Sequence, residues 1–285
     1  MPNVKDMNIT PLIGLGLKIQ HHQNVLQQHP ADLGWLEVHP ENYFGGSKNI
    51  AILEEIRLSY PLSLHSVGMS LGSDQPIDKE YLDQLKDLIY RFQPFLVSSH
   101  AAWSATGNEH LSDLLPLPYT QETLTKMAKK IEQTQQYLGR QILIENPSTY
   151  VSFAIDEMKE SEFLNQLVAK TGCGLLLDLN NAYIQSENHQ CDPYAYLNAL
   201  DLSSVQELHL AGHIRRKFDD GYLLIDTHNQ KVSPEVWKLY EYTIKKIGPC
   251  YTLLEWDSDL PQFSDLLNEV WKAEKYLIEA MKNAA

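Results

Sequence analysis

The chain is poor in cysteine. Its 285 residues include three, Cys173, Cys191 and Cys250. An odd set without Cys-x-x-Cys spacing excludes a disulfide framework and a cysteine zinc site. Positive charge is also scarce: 23 Lys and Arg stand against 37 Asp and Glu, a net charge of −14. Such a chain is a poor nonspecific binder of phosphate backbones, which counts against a nucleic-acid partner. The one compact basic cluster, HIRRKF at 213–218, reads as a surface or substrate loop. No apolar run reaches the roughly 18–20 residues of a membrane span. The opening stretch MPNVKDMNIT has no apolar signal region, so the expected location is the cytoplasm. Repeats, low-complexity stretches and Pro/Gly/Ser-rich linkers are lacking too, and a single domain over residues 1–285 is expected. With 43% hydrophobic and 21% charged residues, the chain can bury a substantial core.

What recurs is a short apolar run followed by a helical pattern. The runs are PLIGLGL (11–17), LGWLEVH (33–39), YPLSLHSV (60–67), FLVSSHA (95–101), RQILIEN (140–146), CGLLLDL (173–179), VQELHLA (205–211) and CYTLLEW (250–256). Between them, 78–92 puts Tyr81, Leu82, Leu85, Leu88 and Ile89 on one helix face. The segment 123–139 does so with Leu124, Met127, Ile131 and Tyr137, and Gly139 is its expected stop. Pro234 and Gly248 bracket another helix, and 263–283 reads as the closing one. Strands alternating with helices imply parallel pairing and right-handed crossovers. Eight such units within about 250 residues of the chain predict an α/β fold, a (β/α)8 TIM barrel. A doubly wound open sheet is the alternative. Gly14 and Gly16 of GLGLK read as room for close packing, because the third glycine of a dinucleotide fingerprint is absent.

The runs end in unusual residues. LSLHS ends in His65, VSSHA in His100, ILIEN in Glu145, LLLDL in Asp178 and TLLEW in Glu255, while ELHLAGH carries His209 and then His213. The segment LLIDTH, read as part of a long loop, adds Asp226 and His228. In a barrel, functional side chains gather at the C-terminal strand ends. If Glu145 and Asp178 point inward, Ile142, Ile144, Leu175 and Leu177 point out to the helices, as apolar residues should. Taken alone, any one of these histidines reads more readily as a hydrogen-bonded structural residue, and any one of the carboxylates as a helix cap, than as a ligand. Together they would be costly to bury at one mouth without compensating charge. Cations supply that charge, and mixed imidazole and carboxylate donors in this number suit two or three ions of iron, zinc or manganese. Asn181 is placed to return to the same cluster. Glu41 and Asn42, just past the second run, are expected to face the mouth in a substrate or supporting role. His21 and His22 read as solvated loop or helix-start residues.

The motifs VHPENY, LHSVGMSLGS, SSHAAWS, ILIENPSTYV, LLLDLNNAY, ELHLAGH, IDTH and LLEWD together resemble the multinuclear non-heme iron-dependent oxidative enzymes. That family, formerly carried as uncharacterised, includes the methanobactin-biosynthesis oxidases. The resemblance spans about residue 11 to residue 257, and it implies a xylose-isomerase-like barrel holding two or three mixed-valence irons. The ligands carried over by motif position are His65, His100, Glu145, Asp178, Asn181, His209, Asp226, His228 and Glu255. Endonuclease-type barrels have a histidine where this chain has Asn181, so a third metal there would be loosely held. The resemblance implies a dioxygen-dependent oxidase that modifies a ribosomally made peptide at cysteine, aided by a leader-binding partner protein. It makes His213 a supporting base or donor, and it makes Tyr43 and Trp103 walls of a peptide groove. The competing expectations are a zinc-, manganese- or magnesium-dependent hydrolase or isomerase and a non-catalytic metal-binding barrel. No strand end offers an obvious catalytic lysine of the sugar-isomerase kind.

Overall fold

The computed structural model describes residues 12–46, 48–106, 109–219 and 221–284, so the opening stretch MPNVKDMNIT lies outside the described residues. In chain order the strands are β1 (Ile13–Gly16), β2 (Trp35–Val38), β3 (Leu62–Ser66), β4 (Leu96–His100), β5 (Trp103–Thr106), β6 (Glu109–Leu115), β7 (Leu143–Glu145), β8 (Gly174–Asp178), β9 (Val205–Leu210), β10 (His213–Phe218), β11 (Gly221–Asp226) and β12 (Tyr251–Leu254). Eight of these close a parallel barrel in the order β1, β12, β9, β8, β7, β4, β3, β2, and each is one of the eight apolar runs. Because β1 pairs with both β2 and β12, the sheet has no edge and the open-sheet alternative falls.

The helices are α1 (His22–Gln28), α2 (Lys48–Arg57), α3 (Lys79–Phe92), α4 (Gln121–Leu138), α5 (Glu160–Thr171), α6 (Leu179–Asn188), α7 (Pro193–Ala199), α8 (Pro234–Ile247) and α9 (Phe263–Ala284). Their ends follow local chemistry. Asp78 caps α3 by accepting from the Glu80 and Tyr81 amides at 2.9 and 3.2 Å. Gly139 ends α4 in the left-handed region at φ 69°. The outward strand residues Ile142, Ile144, Leu175 and Leu177 are buried in the core between strands and helices. Each such side chain contributes about 1.5–3 kcal/mol by leaving water.

The N-terminal end of the barrel is plugged by Trp35, which is fully buried and donates Nε1–H to the Leu12 carbonyl at 3.0 Å. Its ring meets Phe95 and Tyr251 edge-on, with centroids 5.2 and 6.2 Å away. A Cβ at Gly14 would sit 2.4 Å from that indole, so the glycine is the space the tryptophan needs.

Two antiparallel hairpins interrupt the βα repeat, β5–β6 after β4 and β10–β11 after β9. The second corrects two expectations. HIRRKF is strand β10, not a loop, and most of LLIDTH is strand β11. In a two-stranded ribbon charged side chains face solvent while the backbone still pairs, so basic composition did not report the strand. The Arg215 guanidinium lies 3.6 Å over the Tyr222 ring across that pair. His21 and His22 do start a helix but are buried, at 7% and 2% exposure. His22 Nε2 lies 2.9 Å from the Tyr43 hydroxyl, and Tyr43 is therefore a core residue rather than a groove wall.

Candidate active site

Alternation along a strand sends one parity of each barrel strand inward. At the C-terminal ends that parity delivers His39 after β2, His65, His100, Glu145, Asp178 and His209 on their strands, and Glu255 after β12. The remaining strand, β1, is followed by Lys18, whose ammonium pairs with Asp257. A cavity of about 400 Å³ opens onto His39, His65, His100, Glu145 and Glu255, with Asp113–Leu115 of the first hairpin and Ile225 and Asp226 of the second on its walls.

The densest part is a triangle. His65 Nε2 and His100 Nε2 are 3.1 Å apart, and Glu145 Oε2 lies 3.3 and 3.2 Å from them. Bonds of about 2.0–2.2 Å to a shared ion set neighbouring nitrogen and oxygen donors roughly 2.8–3.6 Å apart, from octahedral to tetrahedral angles. The other Glu145 oxygen, Oε1, lies 3.9 Å from His209 Nδ1, and Glu255 Oε2 lies 3.2 Å from that nitrogen and 3.3 Å from His228 Nδ1. Donor atoms of Glu145, Asp178 and His209 fall within 4.8 Å of one another, as do those of Asp178, His228 and Glu255. Glu145 and Glu255 are thus shared between neighbouring groups. Glu145 Oε2, Asp178 Oδ2, Asn181 Oδ1, His100 Nδ1 and both His209 nitrogens are buried without a hydrogen bond. Buried polar atoms ordinarily have partners. Close approach without hydrogen-bond alignment means that the atoms converge on common points, which suits cations.

The electrostatics agree. Burial, reinforced by the neighbouring histidines, pushes His65 well below its usual range and His100 down to about 3. Both imidazoles are neutral and offer lone pairs. Burial pushes Glu145 well up and Asp178 up to about 7, with nearby carboxylates adding to the effect. Burial opposes charge on His209 and His228 too, but surrounding carboxylates outweigh it and hold both well above the usual range. Glu255 is held well below its usual range because His228, His209 and His39 outweigh its burial.

Neighbouring groups hold this set in place. Ser98 Oγ lies 2.8 Å from His65 Nδ1, leaving Nε2 for the cluster. The backbone amide of Asn181 donates to Asp178 Oδ1 at 2.7 Å, so Asp178 also caps α6. His213 Nδ1 lies 2.8 Å from Asn180 Oδ1. Asn180 Nδ2 donates to Asp226 Oδ1 at 2.9 Å, and that oxygen is 2.7 Å from His228 Nε2.

The expected residues are therefore distributed unevenly. His65, His100, Glu145, Asp178, His209, His228 and Glu255 converge. Asp226 joins through His228, and Asn181 Nδ2 reaches Glu145 Oε1 at 3.5 Å. His213 reaches the cluster only through Asn180. Glu41 and Asn42 do not face the cavity. The short 3-10 turn Pro40–Tyr43 rotates them away, Glu41 accepts from the Gly68 amide at 2.6 Å and the Tyr81 hydroxyl at 2.5 Å, and Asn42 is exposed. Trp103 lines a different cavity, beside Gly72 and Met127.

Residues that sequence reasoning passed over include His39, Asp257, Glu37, Glu207, Asn180 and Lys18. His39 Nε2 is 3.7 Å from Glu255 Oε1 and groups with Asp257. The signal for Glu37 and Glu207 was their position two residues before His39 and His209, on the same inward parity. Lys18 is a strand-end lysine after all. Burial lowers its basicity, yet Asp257, Glu255 and Glu37 more than restore it.

Comparisons with known proteins agree with this architecture. A D-tagatose 3-epimerase-like protein superposes with a TM-score of 0.59 at 15% identity, over 96% of this chain and 99% of that one. Endonuclease IV from Thermus thermophilus gives 0.57 at 16% identity, over 94% and 100%. Both likenesses are of fold. Sequence relatives are closer: a UPF0276 protein of Psychromonas ingrahamii is 47% identical over 92% of each chain. One from Vibrio parahaemolyticus is 44% identical over 96% of this chain and 95% of its own. The model of the RiPP precursor modification enzyme family MbnB/TglH/ChrH matches residues 12–278, and with the barrel and its polar mouth in view the chain belongs to that family of enzymes acting on ribosomally made peptides.

Proposed function

We propose that the chain is a cytoplasmic oxidase, dependent on iron and dioxygen, that modifies a cysteine of a ribosomally made precursor peptide. The observation that carries this reading is the triangle of His65, His100 and Glu145, with donor atoms 3.1–3.3 Å apart, continued through shared carboxylates to His209, Asp178, His228 and Glu255. These residues would hold two ions. Asp226 and the unpartnered Asn181 oxygen would remain as donors for a third. When bound, iron supplies a coordination position for a soft thiolate and electrons for dioxygen.

The chain's own residues do the rest. The cavity of about 400 Å³ would accept a few residues of an extended peptide over the cluster. Ser98 fixes which His65 nitrogen faces inward. The hydrogen bonds from His213 to Asn180 and from Asn180 to Asp226 orient the Asp226 carboxylate against His228 at the cluster edge. A separate leader-binding protein is part of the proposal, since such a cavity recognises a segment and not a whole precursor.

A metal-dependent isomerase or hydrolase is the second reading, favoured by the lysine at the mouth. Lys18 is already committed to Asp257, which leaves it poorly suited to act as a free base. Metal content per chain, measured by elemental mass spectrometry on iron-supplemented protein purified without oxygen, decides. Two or three irons, lost in Glu145→Ala and Asp178→Ala, are expected. Zinc or manganese with little iron would replace the oxidase reading with the second one.

A further inference from the structure

One layer below the mouth, Glu37 and Glu207 lie inside the barrel, at 2% and 0% exposure. Their geometry is organised around one atom. Ser63 Oγ donates to Glu37 Oε2 at 2.5 Å, as the pairing of Glu37 with Ser63 across β2 and β3 dictates. That leaves Glu37 Oε1, which makes no hydrogen bond and lies 3.2 Å from His209 Nε2. Glu207 Oε1 lies 3.6 Å from the same nitrogen. The opposite nitrogen, Nδ1, faces Glu255 Oε2 at 3.2 Å.

A neutral imidazole has one lone pair and one N–H. If Nδ1 gives its lone pair to an ion at the mouth, Nε2 carries the proton and needs a buried acceptor. Ions on both nitrogens would require an imidazolate, with two further carboxylate charges sealed above the Trp35 plug. We propose that Glu37 and Glu207 are positioning residues for His209: they hold its Nε2–H tautomer from below and turn Nδ1 onto the mouth cluster. This rests on the reading of the mouth as a metal centre. A carboxylate behind a ligating histidine fixes the ring and raises its donor strength, and losing one typically weakens metal binding about 10–100-fold.

The test uses the full chain with Co(II) as probe, in wild type, Glu37→Gln, Glu207→Gln and the double variant. Chelator competition gives the Co(II) affinity, and ring ¹⁵N spectra of the chain loaded with diamagnetic Zn(II) show which His209 nitrogen keeps its proton. Expected are a single Nε2–H tautomer in wild type, a mixture in the double variant, and a roughly 10–100-fold loss of Co(II) affinity in each single variant. Unchanged tautomer and affinity in folded variants would overturn the proposal. So would an extra Co(II) equivalent in wild type that both single variants lose while the mouth ions stay, because the pair would then ligate an ion of its own. Should the double variant fail to fold, Glu207→Gln alone carries both readouts. A wild type that binds no Co(II) sinks the metal-centre reading and this proposal with it, whereas a wild type that binds Co(II) as tightly as the variants do sinks the positioning role alone.

Discussion

Glu160, at the start of α5, is 4% exposed, and no cation among the described residues pairs with it. Hydroxyls of Tyr119 and Tyr196 donate to its two oxygens, Tyr196 at 2.6 Å, and the Gln185 amide is within 3.2 Å. Burial nevertheless dominates and pushes the carboxyl up from 4.5 to about 7. Because the folded value lies above the unfolded one, the stabilising contribution is complete below about pH 4.5 and is lost as pH rises through 7. A gap of about 2.5 units corresponds to roughly 3 kcal/mol. Glu160→Gln keeps the volume and never ionises, but it gives one tyrosine a poorer acceptor, at a cost of about 1 kcal/mol. The variant is therefore expected to be less stable than wild type near pH 4.5 by about 1 kcal/mol and more stable at pH 8 by about 2 kcal/mol. Denaturant unfolding of both proteins from pH 4.5 to 8 gives the difference curve, in which the mouth groups common to both cancel. A flat difference, or one of opposite slope, would refute the assignment of a buried, unpaired carboxyl.

Two further outcomes follow from packing and from the hairpin. Gly14→Ala drives a Cβ to 2.4 Å from the Trp35 ring and should cost about 1–3 kcal/mol in thermal or denaturant unfolding; a neutral result would mean that the indole has room to move. Tyr150→Phe removes the hydroxyl that accepts from the Asp226 amide at 2.9 Å. Hydrogen exchange at that amide should rise while Leu224, which the Asn188 side chain engages through both its amide and its carbonyl at 2.9 Å, stays protected.

The sequence by itself determined the parallel βα repeat, while the pairing of β1 with β12 decided that it closes into a barrel rather than an open sheet. Eight apolar runs alternating with helical patterns, punctuated by caps such as Asp78 and Gly139, require parallel strands with helical crossovers, because a parallel strand needs a crossover and helical cover. The sequence also determined most of the polar mouth, since a period of two carries His65, His100, Glu145, Asp178, His209 and Glu255 to one end once the strands are known. Tertiary structure alone decided which of these meet. The distances among His65, His100 and Glu145 depend on the neighbouring register of β3, β4 and β7, which no local pattern encodes. It also decided what composition concealed. The charge of β10 reads as a loop until β11 pairs with it. Glu41 stands beside His39 in sequence, yet a 3-10 turn sends one to Gly68 and the other to Glu255. Lys18, Glu37 and Glu207 look like ordinary charges along the chain. They matter because closing the barrel brings Asp257 to the first and His209 to the other two, in an interior where a charge without a partner is costly.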